Sequence, residues 1–118
     1  MLNSLFGLFQ RSGAGDYISP EDLKKALDTG EAKAIIDVRT PPEYGQSRIP
    51  GARSVPLDNL GALLGGATGQ DDEVIVYCKT QNRSAMAARA LSQNGFKNVK
   101  ALSGGIMGWS QKGYPLEN

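Results

Sequence analysis

Apolar and polar positions along the chain change period repeatedly, and the changes mark out alternating helices and strands. Leu23, Ala26 and Leu27 form a stripe at helical spacing behind Ser19-Pro20-Glu21-Asp22. There Ser19 reads as the N-cap, Pro20 as the first helical position, and Gly30 as the C-terminal stop. Ala34 to Val38 is a short β-branched run and predicts a buried strand. Pro41-Pro42 opens a turn with about one helical turn through Tyr44. Ile49-Pro50-Gly51-Ala52 is a second turn, feeding a short strand at Ser54-Val55. Leu60, Leu63 and Leu64 predict a short helix closed by Gly65-Gly66.

The clearest strand is Val74 to Tyr77. It is followed by Cys78-Lys79-Thr80-Gln81-Asn82-Arg83-Ser84, then by an alanine-rich helix that begins near Arg83 or Ser84 and ends near Gly95. A further strand at Asn98 to Leu102 leads through Gly104-Gly105 into a last helix holding Ile106, Met107 and Trp109. Strands alternating with helices predict an α/β domain whose mostly parallel sheet is covered on both faces. In such sheets ligands bind beyond the carboxyl ends of the strands, and Cys78 falls at such an end.

Residues 1–15 stand apart. Leu2, Leu5, Phe6 and Phe9 lie on one helical face, and Gly13-Ala14-Gly15 reads as a joint. No cation precedes this short apolar run, which disfavours a signal peptide. It reads as an amino-terminal apolar tail or short helix ahead of one domain over residues 16–118. A packing role and a docking role, toward a protein partner or a membrane surface, are both open.

Composition narrows the chemistry. The 118 residues suffice for one domain, and 40% hydrophobic with 21% charged residues is ordinary globular usage. Net charge is +1, which argues against a nucleic-acid partner, and no apolar stretch nears the ~20 residues of a transmembrane segment. There are no histidines and one cysteine, which excludes a Ser-His-Asp triad, a Cys-His pair, a His-ligated zinc and an internal disulfide. A nucleophile must therefore ionise without a histidine base, and Cys78 is the candidate. The loop amides, the helix N-terminus, Lys79 and Arg83 all favour its thiolate. A cysteine ending an apolar strand is often only a small core residue. Against that, the six residues after Cys78 are polar or charged.

Four motifs now stand in order: Asp37-Val38-Arg39-Thr40-Pro41, Ile49-Pro50-Gly51-Ala52, Val76-Tyr77-Cys78 through Arg83-Ser84, and Leu102-Ser103-Gly104-Gly105 followed by Trp109. Together, from Ile18 to Pro115, they resemble a single-domain rhodanese-like sulfurtransferase. The resemblance implies a five-stranded parallel sheet and a catalytic Cys78 that takes a sulfane sulfur from thiosulfate or a persulfide. The sulfur then passes to cyanide or a thiol through a Cys78 persulfide. Lys79, Thr80, Gln81, Asn82, Arg83 and Arg39 would bind the small anionic donor in a locally basic mouth. No cofactor or metal is called for. The alternative is a low-turnover sulfur-carrier or interaction module that docks through residues 1–15.

Three positions depart from the family's usual pattern. Lys79 stands where Arg is common, Arg48 where many relatives have His, and Gln81 where the loop often has Gly. If that last place needs φ > 0, Gln81 costs on the order of 1 kcal/mol. Related phosphatases and arsenate reductases of this fold usually carry one more residue between Cys and Arg. The shorter span from Cys78 to Arg83 fits a sulfur atom better than a phosphoryl group. Asp37 reads as structural, Ser84 as a helix cap, and Trp109 as core or rim. A cysteine that must stay reduced, with no disulfide, points to the cytoplasm.

Overall fold

The computed structural model describes residues 16–32, 34–64 and 69–118. The tail over residues 1–15 and the Gly65-Gly66 stop lie outside the described residues. The elements are β1 (Tyr17–Ile18), α1 (Pro20–Thr29), β2 (Ala34–Asp37), α2 (Pro41–Gln46), β3 (Arg53–Ser54), a 3₁₀ turn (Leu57–Asn59) and α3 (Gly61–Leu64). They continue with β4 (Glu73–Tyr77), α4 (Asn82–Gln93), β5 (Asn98–Leu102) and α5 (Gly105–Gln111). The five strands form one sheet in the order β1-β5-β4-β2-β3, and every pairing is parallel.

Local chemistry sets the helix starts. Ser19 caps α1 by accepting from the Asp22 N–H, and Gly30 ends it at φ 77°. Thr40 caps α2 in a full capping box with Glu43, and the two prolines fill the first helical positions, where a missing N–H costs nothing. That box extends α2 to Gln46, beyond the single turn expected from Pro41-Pro42.

Strand alternation divides the core. Ile36, Val38, Val74, Val76 and Cys78 lie on one face under Ala87, Ala88 and Leu91 of α4, with Leu57 and Leu60 at the margin. Ile35, Ile75 and Tyr77 lie on the other, packed with Leu23 of α1, Tyr44 of α2, and Ile106 and Trp109 of α5. The helices after the adjacent strands β2 and β4 thus cover opposite faces. Their connecting loops diverge at the carboxyl ends of the two strands and leave a crevice between them, the usual ligand position in open α/β sheets.

Candidate active site

Cys78 follows β4 immediately and is 1% exposed. Its environment begins with α4, which starts at Asn82 and not at Arg83 or Ser84. The first intrahelical bond runs from the Ala85 N–H to the Gln81 carbonyl, so the N–H groups of the first turn have no acceptor within the helix. The Ser84 N–H finds one in the sulfur, donating to Cys78 Sγ at 3.3 Å. The Ser84 hydroxyl lies 3.5 Å from Sγ, accepting the thiol proton, and donates to the Gln81 carbonyl at 3.1 Å. Ser84 is therefore not a cap. It sits within the first turn, three residues after the Gln81 cap, fully buried, with its N–H and its hydroxyl engaged at the sulfur or the loop.

The loop's carbonyls turn the other way. Cys78 O accepts from the Ile106 N–H at 2.9 Å and Lys79 O from the Met107 N–H at 3.0 Å. Gln81 completes the latch, its Oε1 accepting from the Gly104 N–H at 3.0 Å. Gln81 has φ −159°, and among the described residues only glycines have positive φ. The strain considered for a non-glycine at this place is absent. In its stead Gln81 contributes a bond that glycine lacks. Lys79, Thr80 and Asn82 are exposed at the rim.

The two arginines carry their charge elsewhere than expected of a basic mouth. Arg39 is buried and pairs with fully buried Asp37, with Nη2 to Oδ2 at 2.6 Å and Nε to Oδ1 at 3.0 Å. Its Nη2 also donates to the Ser47 carbonyl at 2.6 Å, and the guanidinium lies 5.7 Å from the centre of the Tyr77 ring, on the sheet face opposite Cys78. Burial works against the Arg39 charge, but the hydrogen bonds and charge of Asp37 more than offset it and hold its pKa above the ordinary value. Burial likewise pushes the Tyr77 phenol up; its oxygen accepts from the Ile49 N–H at 3.1 Å.

Arg83 reaches across the crevice to α2, donating from Nη1 to Glu43 Oε1 at 2.8 Å and from Nη2 to Oε2 at 3.2 Å. Those bonds first, helped by Thr40, hold the Glu43 carboxyl at about 2, below its ordinary 4.5. Arg83 is raised in turn by the same pair of bonds. The sequence alone assigned Glu43 no role. Its position two residues after the Pro41 helix start was the available signal, because a capping-box acid is anchored at the helix N-terminus.

Two clefts flank the loop. One of about 210 Å³ is lined by Val38, Arg39, Thr40, Leu57, Asp58 and Arg83 among others. Val38 and Leu57 also belong to the cluster that holds Cys78, so this cleft approaches the sulfur's own face. The other, about 380 Å³, includes Lys79, Glu43, Met107 and Leu116 in its lining and lies against α5. Cys78 lines neither. Arg48, at the departure from the family's histidine, stacks 4.7 Å from the Tyr44 ring centre and pairs its backbone with Glu117.

A parallel α/β sheet with a lone cysteine at its switch point defines a class, and comparison with known proteins names it. The rhodanese-like domain matches residues 19–112, and the chain belongs to that family. It is 34% identical over 99 residues to a sulfurtransferase of Allochromatium vinosum, covering 84% of this chain and 92% of that protein. It is 37% identical over 106 residues to the probable adenylyltransferase/sulfurtransferase MoeZ of Mycobacterium tuberculosis, covering 89% of this chain but only 27% of that longer protein. The crystal structure of the BH2092 protein from Bacillus halodurans superposes with a TM-score of 0.83 at 26% identity, covering 100% of this chain and 87% of that one. The family is one of sulfurtransferases and sulfur carriers, and the five-stranded parallel sheet agrees with the fold expected from the four motifs. Among the described residues no helix is long and apolar enough to cross a membrane.

Proposed function

We propose that the chain is a sulfurtransferase working through a Cys78 persulfide, with thiosulfate or an organic persulfide as donor and a thiol or cyanide as acceptor. The observation that carries this is the Ser84 N–H aimed at Cys78 Sγ from the first turn of α4. A helix-terminal donor with no acceptor inside the helix favours negative charge, and both the thiolate and the persulfide anion carry it on sulfur. No histidine is required, in keeping with a chain that has none.

The transfer balances without an added oxidant or reductant. The Cys78 thiolate attacks the sulfane sulfur of the donor, a new S–S bond forms at Sγ, and the donor's S–S bond breaks. Its electron pair leaves with sulfite or a thiolate. The acceptor's carbon or sulfur nucleophile then attacks the outer sulfur, and the pair of the broken bond returns to Sγ. Turning Cys78 O and Lys79 O toward α5 keeps acceptor lone pairs out of the cradle, so the anionic sulfur faces donors. Lys79, Thr80 and Asn82 form the exposed rim that an incoming donor meets, while Gln81 holds the loop to Gly104.

Steady-state transfer from thiosulfate or an alkyl persulfide to cyanide, read as thiocyanate, tests this. The wild-type chain is expected to turn over and Cys78→Ser to be inactive. Equal rates for the two proteins would remove the sulfur from the mechanism. The reducing-compartment setting and a partner for residues 1–15 belong to the same proposal; deleting 1–15 is expected to leave transfer between small substrates unchanged.

A further inference from the structure

Resting on the Cys78 chemistry above, we infer that Glu43 sets donor specificity: by holding Arg83 it cancels a cation that lines the crevice, so that a singly charged organic persulfide is taken in preference to the thiosulfate dianion.

The charges around the cleft carry this. Arg39 is neutralised by Asp37 at 2.6 Å and Arg83 by Glu43 at 2.8 Å. Asp58 also lines the cleft that reaches the Cys78 face, and among the described residues no cation beyond those two arginines lines it. Lys79 lines the other cleft, against α5. An anion entering beside Val38 and Leu57 therefore meets two closed ion pairs and one further carboxylate. A dianion is repelled there about twice as strongly as a monoanion, since the Coulomb energy scales with charge.

Arg83 lies within electrostatic reach of the sulfur. It precedes Ser84 on the first turn, and after Glu43 the charge of Cys78 is among those that raise its pKa. Releasing Arg83 would thus be felt at Sγ. Glu43→Gln suits the purpose, because the amide retains an oxygen to accept from the Thr40 N–H, a bond of 2.9 Å in the capping box, while it removes the charge and replaces the oxygen that accepts from Arg83 Nη2 with a donor.

The local potential can be read without any sulfur transfer. Cys78 is the chain's one cysteine, so its alkylation by iodoacetate and by iodoacetamide compares an anion with a neutral reagent of nearly equal size. Glu43→Gln is expected to raise the iodoacetate-to-iodoacetamide rate ratio on the order of threefold, and the thiosulfate-to-alkyl-persulfide loading ratio on the order of tenfold. Arg83→Met, leaving Glu43 unopposed, is expected to lower both ratios. The double variant should return close to wild type. A loss of packing would slow or speed both reagents alike and could not move the ratio in opposite directions.

Unchanged ratios in both single variants, or a fall in Glu43→Gln, would overturn the specificity role while leaving the persulfide function intact. Shifted alkylation ratios with no sulfur loading from either donor would instead overturn the function. A sulfur closed to both alkylating reagents in the folded protein would overturn the two together.

Discussion

Gly105 packs so closely against the Thr80 carbonyl that no residue with a Cβ fits in its place. A Cβ built on Gly105 would stand 2.5 Å from the Lys79 carbonyl oxygen, 2.6 Å from that of Cys78, and closer still to that of Thr80. The glycine sits at φ 61°, where a side chain is strained even in open space. Its missing side chain is what allows α5 to bind the loop carbonyls and turn them away from the sulfur.

Gly105→Ala should therefore displace the loop. Gly30→Ala is the matching control, since Gly30 also has positive φ but nothing within 4 Å of its Cβ position. The control is expected to lose only about 1 kcal/mol of stability and keep its transfer rate. Gly105→Ala is expected to lose more than that and to lose sulfur transfer. Urea denaturation with an activity assay on both variants checks this; equal behaviour would mean the loop is not held from beneath.

The Asp37–Arg39 pair is almost wholly withdrawn from solvent, and breaking it leaves a charge buried without its partner. Asp37→Ala is expected to cost roughly 3–5 kcal/mol, and the double replacement Asp37→Leu with Arg39→Met less than that single change. Denaturant midpoints of the three proteins decide it. A mild single variant would show that the pair is solvated in solution.

Glu43 carries a pH dependence whose sign follows from its lowered pKa. Its carboxyl titrates at about 2 in the folded chain against 4.5 when free, so the folded state binds the proton less readily than the unfolded state. The stability it contributes is fully present above about pH 4.5 and is lost as pH falls toward 2. Wild type and Glu43→Gln should differ by a constant amount at neutral pH and converge below pH 4.5. A difference that grew on acidification would contradict the Arg83–Glu43 bond.

Ser84 separates backbone from side chain at the sulfur. Ser84→Ala keeps the N–H donor to Sγ and removes the hydroxyl that bridges Sγ and the Gln81 carbonyl. Once the thiol proton is lost the hydroxyl is free to turn from the Gln81 carbonyl and donate to Sγ. Activity is therefore expected to fall about tenfold and not to vanish, the loss of one hydrogen bond to a charged group. An abolished rate would assign the main stabilisation to the hydroxyl and not to the helix N-terminus.

Much of this was legible in the sequence, for reasons of locality. The β4–Cys78–α4 unit, the Ser19 cap, the Gly30 stop and the strand over Asn98 to Leu102 are all encoded within a few residues of where they act. What was hidden depends on distant partners. β1 has only two residues, too few for a period, and exists through its pairing with Ala101 and Leu102. β3 is Arg53–Ser54, a residue earlier than the Ser54-Val55 run, because register with Ile36 and Asp37 decides which residues pair. Arg83 read as a free cation because its partner Glu43 lies 40 residues away. Gln81 read as a departure from a glycine pattern, and only the neighbouring Gly104 N–H shows what it does there.

The central claim is that Cys78 carries the transferred sulfur, and intact mass measures this most directly. After incubation with thiosulfate or an alkyl persulfide the chain is expected to gain the mass of one sulfur atom. It should lose that mass on addition of cyanide, and Cys78→Ser should gain none. An unchanged mass with both donors, or an equal gain in Cys78→Ser, would contradict it.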